Sequence, residues 1–226
     1  MPAVESRNLI ATASTTGKSM STVPLVLLSI GNPGPLTRHS VGHYILKLLM
    51  EKYQAKQPQL RPSYAISTNH DSSLVFIKSN SYMNESSKAW TKSRDRESIR
   101  PGSIIVVLYD DFEANVPKVK LSRFGKKNES HNGIRDLTSV MQADDERFKV
   151  FKLGVGIGPK PRDASRDAMS HWVLSPFKPV EKQMIAEKSF QLCCLYLQNI
   201  AECDGEIGDV GKFDARIKKI WRKQNE

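Results

Sequence analysis

The chain has 226 residues with 39% apolar side chains, enough for one domain with a core, and no run of about 18 apolar residues long enough to cross a membrane. Its 34 Lys and Arg exceed 24 Asp and Glu, for a net charge of +10. That excess speaks to partners rather than fold, and charge alone leaves open both simple solubility and a polyanionic partner. Cys193, Cys194 and Cys203 have no metal-ligand spacing with a histidine. They read as reduced core thiols, which fits a cytosolic or organellar protein better than a secreted one.

Residues 1–23 are rich in Ser, Thr and Ala, with Arg7, Lys18 and one acid, Glu5. They hold no apolar signal-peptide core, and read as a mitochondrial transit segment or a disordered extension. Leu25–Ile30 is a short apolar run of buried-strand type. Beyond a Gly/Pro turn, Val41, Tyr44, Ile45, Leu48 and Leu49 share one helix face, with Ser40 as the expected N-cap. Tyr64–Thr68 and Leu74–Lys78 read as two strands joined by a polar turn, and Ser86–Arg96 as a polar, exposed helix. Ile104–Tyr109 has the length and β-branched content of a central strand. Val116–Phe124 alternates, with Lys118 and Lys120 on one face, as in a half-exposed strand. Ile134–Met141 reads as a short helix. Phe148–Ile157 reads as a strand, with Gly154, Gly156 and Gly158 on one face where another backbone packs closely. Ala164–Val173 is a short helix, Val180–Cys203 a long one with an apolar stripe, and Lys212–Lys223 a basic terminal helix. This alternation implies one domain over 24–226, a three-layer α/β/α fold with a mixed, mostly parallel central sheet.

Three polar motifs stand where apolar segments end. Gly31-Asn32-Pro33-Gly34-Pro35 with Thr37-Arg38-His39 follows the first strand. Tyr82-Met83-Asn84 follows the strand Leu74–Lys78. His131-Asn132-Gly133-Ile134-Arg135-Asp136 opens a helix, and Asp110 ends the central apolar run. Open α/β sheets bind ligands at such strand ends. Ester hydrolysis needs an activated water, and histidine is the usual base near neutral pH, with a carboxylate to fix its tautomer. His39 and Asp110 are placed to meet. Read on their own, His39 also suits a helix-start histidine and Asp110 a cap, with Asp111 competing beside it. Asn32, Asn84 and Asn132 equally suit turns. The first glycine motif lacks the Gly-Lys-Ser/Thr ending of a phosphate loop, and Gly154–Gly158 lie inside a strand rather than opening a helix. Neither a Gly-x-Ser-x-Gly elbow nor a His/Cys/Glu metal cluster is present.

Together these motifs, in order and rough spacing from about Leu25 to Phe177, resemble the bacterial-type peptidyl-tRNA hydrolases, with a eukaryotic character in 158–167 and the C-terminal extension. The resemblance implies a monomeric enzyme without a cofactor that cleaves the ester between a peptide and the tRNA 3′ end, acting in mitochondria or cytoplasm and not at a membrane. It assigns His39 as general base and Asp110 as its orienter. It sets Asn32, Asn84 and Asn132 as amides gripping the peptide backbone. Met83 would pack against the catalytic histidine, and His131 would position substrate or RNA. Lys118, Lys120, Arg123, Lys126 and Lys127 would meet acceptor-arm phosphates, the alternative being a solvated strand face. Lys152 stands where the family has an arginine, keeping the charge without the planar fork. Two further departures are the charged stretch 125–130 before His131 and Ser40 after His39. An inactive RNA-binding relative, similar to plant organelle splicing factors, and a small-molecule esterase are the rivals. The intact His39/Asp110 pair argues against the first, and the basic excess and missing nucleophile against the second.

Overall fold

Leu25–Ser29 (β1) is apolar on both sides because both sides are covered. Leu25 and Leu27 enter one core, while Val26 and Leu28 enter the other, and all four are buried. A computed structural model describes residues 23–125, 130–162 and 165–225. The extension expected at 1–23 therefore lies, except for Val23, outside the described residues.

Seven strands form one sheet in the order β2-β3-β4-β1-β5-β7-β6. The remaining strands are β2 (Gln59–Leu60), β3 (Tyr64–Thr68), β4 (Leu74–Ser79), β5 (Ile104–Asn115), β6 (Val119–Ser122) and β7 (Lys149–Gly158). Strands β4, β1, β5 and β7 run parallel, and β2, β3 and β6 add antiparallel edges. The mixed, mostly parallel sheet is thus as expected. The central strand is longer than its apolar run, because β5 keeps pairing with β7 beyond Tyr109. Strand β6 is shorter than expected: Pro117, which lacks an N–H, precedes it.

On one face pack α1 (Val41–Lys52), α6 (Phe190–Glu202) and α7 (Val210–Asn225); on the other, α2 (Ser86–Arg96) and α3 (Asn132–Ala143). The helices α4 (Arg166–Val173) and α5 (Pro179–Met184) lie between β7 and α6 in the chain. Helices α5 and α6 form the long helix expected from the apolar stripe, but a π-helical segment, Ile185–Ser189, interrupts it. Helix α2 is not simply exposed. Trp90 is wholly buried, and its indole N–H donates to Asp144 Oδ2 at 2.7 Å. Arg94 closes on the same carboxylate at 2.8 Å, so the buried acid is satisfied from two sides. Burying a side chain of that size contributes roughly 2–3 kcal/mol, more than a polar helix surface does. In β7, a Cβ at Gly156 would stand 2.5 Å from the Asn115 carbonyl oxygen, confirming close backbone packing on the glycine face.

Candidate active site

The loops after β1 and β4, and the far end of β5, leave the sheet on the same edge. The β1–β5 pairing ends at Ser29–Leu108, so Asp110 stands two residues past the last partner of β1. On its other side it still pairs in register with Val155 of β7. Asp110 is thereby fixed by a strand yet open to the loop carrying His39.

His39 lies in a 3-10 turn, Arg38–Ser40. Ser40 stands at the N-cap of α1 as expected, but its side chain makes no capping bond to the helix. Its hydroxyl accepts from the Thr37 N–H at 2.9 Å and lies 3.1 Å from the Thr37 carbonyl, which tightens the turn instead. Arg38, 5% exposed, donates to the Ile157 carbonyl at 2.8 Å, to Glu181 Oε2 at 2.7 Å and to Ser175 Oγ at 3.3 Å. Its guanidinium also lies over the rings of Trp172 and Phe177. Arg38 is therefore an anchor for the turn that presents His39. Its partners are 119 to 143 residues away, so no local pattern announces the role.

His39 Nδ1 pairs with Asp110 Oδ2 at 2.9 Å, and His131 Nε2 with Asp110 Oδ1 at 2.8 Å. Asp110 is 1% exposed, with one histidine on each oxygen. The other nitrogen of His131, Nδ1, accepts from the Ile134 N–H at 3.2 Å and caps α3. That contact leaves the ring proton on Nε2, so the hydrogen-bond network assigns the tautomer. An ionised carboxylate only accepts, so His39 also donates, from Nδ1. The lone pair of neutral His39 then sits on Nε2, which has no protein partner among the described residues.

Burial opposes the charge on Asp110, but the two imidazoles more than offset it and hold the carboxyl well below its usual range. Burial likewise lowers the His39 pKa, yet the Asp110 charge and hydrogen bond outweigh it, for a net upward shift. His131 is held by rings: Phe112 stacks on it at 6.1 Å, with Tyr109 edge-on at 5.4 Å. Both of its ring nitrogens are committed within the protein, so it sits behind the carboxylate rather than facing a substrate. His39, Asp110 and His131 bring potential metal-ligand atoms within 4.8 Å of one another. Seating a cation there would break both histidine–carboxylate bonds.

The amides are unequal. Asn32 Oδ1 accepts from the Met83 N–H at 3.0 Å, joining the loops after β1 and β4. Asn132 Oδ1 accepts from Arg135 Nη2. Both therefore turn their NH2 groups away from those bonds, as donors, whereas exposed Asn84 has no such commitment among the described residues. Met83 is buried against Gly133, where a Cβ would collide with its sulfur and crowd Ile30 and the Met83 carbonyl. Asp136 of the third motif accepts from the Ser87 N–H at 2.7 Å, locking α3 to α2.

Lys152 is 2% exposed, with its ammonium over the Phe124 ring, so it does not face an RNA backbone. Every residue of β7 from Val150 to Gly158 is buried, so a lysine at 152 is buried with them. Lys118, Lys120 and Arg123 are all exposed, while Lys126 and Lys127 lie outside the described residues.

His43 supports the loop from beneath. Its Nδ1 lies 2.8 Å from Ser29 Oγ, and Nε2 packs against Gly31. Burial, and then the Lys78 charge, lower its pKa from 6.5 to about 4. The unfolded chain takes up this proton near pH 6.5 and the folded chain only near pH 4. Folding stability is therefore expected to fall as pH drops from 6.5 to 4, by up to about 3 kcal/mol. Asp110, depressed below the carboxylate range, acts below this window, and His39, with its raised pKa, acts above it. Urea midpoints at pH 4.5 and 7 should differ less in His43→Phe than in the wild type. An equal difference in both would remove His43 as the source.

The family model for peptidyl-tRNA hydrolase matches residues 26–216. A peptidyl-tRNA hydrolase of Mycobacterium sp. (strain KMS) is 31% identical over 165 residues, 70% of this chain and 81% of that protein. One from Hydrogenobaculum sp. (strain Y04AAS1) is 26% identical over 170 residues, 72% of this chain and 86% of that one. The crystal structure of peptidyl-tRNA hydrolase from Acinetobacter baumannii superposes with a TM-score of 0.63 at 21% identity, covering 88% of this chain and 98% of that chain, and shares the fold.

Proposed function

Because the chain belongs to the peptidyl-tRNA hydrolase family, it hydrolyses the ester of peptidyl-tRNA, and we propose that His39 is the base of that reaction, oriented by Asp110. The observation that carries the assignment is the 2.9 Å bond from His39 Nδ1 to Asp110 Oδ2, which leaves Nε2 open.

In this reading Nε2 takes a proton from water as the water attacks the carbonyl carbon of the ester. The buried Asp110 charge stabilises the imidazolium, and the same Nε2–H then protonates the departing ribose oxygen. The products are free tRNA and a peptide carboxylate. His131 holds the second oxygen of Asp110 and keeps the carboxylate turned toward His39. Asn32 and Asn132, acting as donors, suit peptide carbonyls or the developing oxyanion. Asn84, with donor and acceptor both unspent, suits a backbone amide. Met83 and Gly133 set the floor between them. Lys118, Lys120 and Arg123 contact acceptor-arm phosphates. The protein acts as a monomer, in mitochondria or cytoplasm, with 24–226 as the working domain.

The direct test is release of free tRNA from an N-blocked aminoacyl-tRNA by the purified protein. Multiple turnovers without added cofactor are expected. Retention of intact ester while tRNA binds would instead indicate an RNA-binding relative.

A further inference from the structure

Helix α7 is anchored along one side and basic along the other. Phe213 and Ile217 are buried, with Ile220 and Trp221 half-buried beside them. Asp214 accepts from the Leu121 N–H of β6 at 2.9 Å and from the Tyr196 hydroxyl at 2.7 Å, and pairs with Lys218. The outer face carries Lys212, Arg216, Lys219, Arg222 and Lys223, all exposed, against a single exposed acid, Asp209, at the start. None of the five has an ion-pair partner among the described residues.

A merely solvated helix face usually mixes signs, because like charges three or four residues apart on a helix repel. Here Lys212/Arg216, Arg216/Lys219, Lys219/Arg222 and Lys219/Lys223 all repel. The helix dipole favours cations only in the last turn, which accounts for Arg222 and Lys223. It disfavours Lys212 in the first turn and does nothing for Arg216. The stripe is thus locally unfavourable, and a polyanion lying along it would offset the repulsion.

Its position selects the polyanion. Val119 of β6 pairs with Val155, which pairs with Asp110, so β6 is level with the orienting carboxylate and two strands away. At roughly 5 Å per strand this is about 10 Å. Helix α7 is bonded to β6 through Asp214, and its 16 residues extend about 24 Å along the protein surface. An RNA whose 3′ ester reaches His39 and whose backbone crosses Lys118 and Lys120 has α7 next in reach.

We propose that the outer face of α7 binds the phosphate backbone of the tRNA body beyond its acceptor end, extending the contact made by β6. This rests on the hydrolase reading, and two substrates separate the two. One is a full-length N-blocked aminoacyl-tRNA; the other is an N-blocked aminoacyl-CCA trinucleotide too short to reach α7. The variant combines Arg216→Gln, Lys219→Gln, Arg222→Gln and Lys223→Gln. On full-length substrate KM should rise by roughly tenfold, and the log–log salt slope should flatten by about 0.7–0.9 for each phosphate no longer neutralised. On the trinucleotide kcat/KM should stay at the wild-type value, which also reports an intact fold. Unchanged KM and salt slope on the full-length substrate would overturn the proposal. An equal loss on both substrates would do so too, since the charges would then act through the fold. Loss of binding to phosphatidylserine-containing vesicles with tRNA KM unchanged would assign α7 to a membrane instead. If the wild type turns over neither substrate the hydrolase reading fails, and filter binding of deacylated tRNA to wild type and variant still decides the proposal: equal affinity overturns it.

Discussion

Asp110→Asn is expected to lower kcat by on the order of 10³–10⁴-fold, the scale seen when an orienting carboxylate becomes an amide. The reason lies in the two histidines that share it. His131 Nδ1 is held as an acceptor by the Ile134 N–H, so its Nε2 must donate to residue 110. A carboxylate accepts from both rings, whereas an amide has one accepting oxygen and one donating NH2. With the oxygen serving His131, the NH2 faces His39 Nδ1 and drives the His39 proton onto Nε2, where the lone pair is needed. The alternative rotamer sets NH2 against the Nε2–H of His131. Either way the base is spoiled while side-chain volume is kept. Any residual activity should show its acid limb at lower pH, because the charge that raises the His39 pKa is gone. Asp111→Asn is the control. Asp111 is half-exposed, and its carboxylate accepts from the Glu113 N–H at 3.0 Å where the register of β5 shifts. A larger loss from Asp111→Asn than from Asp110→Asn would show that the orienting acid is the neighbour.

His39→Ala is expected to lower kcat by about 10²-fold or more, the usual scale for a general base, with KM little changed. The turn should survive, since Arg38 and Ser40 hold it without help from the imidazole. Removing the ring leaves Asp110 bonded to His131, so the buried charge keeps a partner. KM should hold because Asn32 is fixed by Met83 and Asn132 by Arg135 rather than by His39. Near-wild-type turnover by a folded variant would take the base role away from His39.

The pairing of His39 with Asp110 is legible in the sequence because His39 stands where the loop after the first strand meets a helix and Asp110 ends a strand, on the side where an α/β sheet converges its loops. The parallel sheet is legible from apolar runs such as Leu25–Ile30 and Ile104–Tyr109. What escapes the sequence depends on distant partners. Arg38 resembles any loop cation until Ile157, Ser175 and Glu181 close on it. His131 reads as a group facing substrate, yet the backbone of its own helix takes Nδ1 and the β5 carboxylate takes Nε2. One local signal points to this: a histidine just before a helix can cap it. Resemblance makes Lys152 a phosphate contact. Its setting within Phe148–Ile157, apolar on both parities, instead implies burial on a doubly covered strand. Trp90 makes α2 more than a surface helix, although its neighbours are polar. The basic face of α7 is visible as periodicity, but its link to β6 through Asp214 is not, because that bond joins residues 93 apart.

The central claim, that a carboxylate-paired His39 drives ester hydrolysis, is tested most directly by the pH dependence of kcat/KM on an N-blocked aminoacyl-tRNA. This ratio reports the base in the free enzyme. Activity is predicted to rise with pH through one ionisation displaced above the ordinary histidine value of 6.5, and that step should be missing in His39→Ala. A step below 6.5, or one that persists unchanged in His39→Ala, would contradict the account.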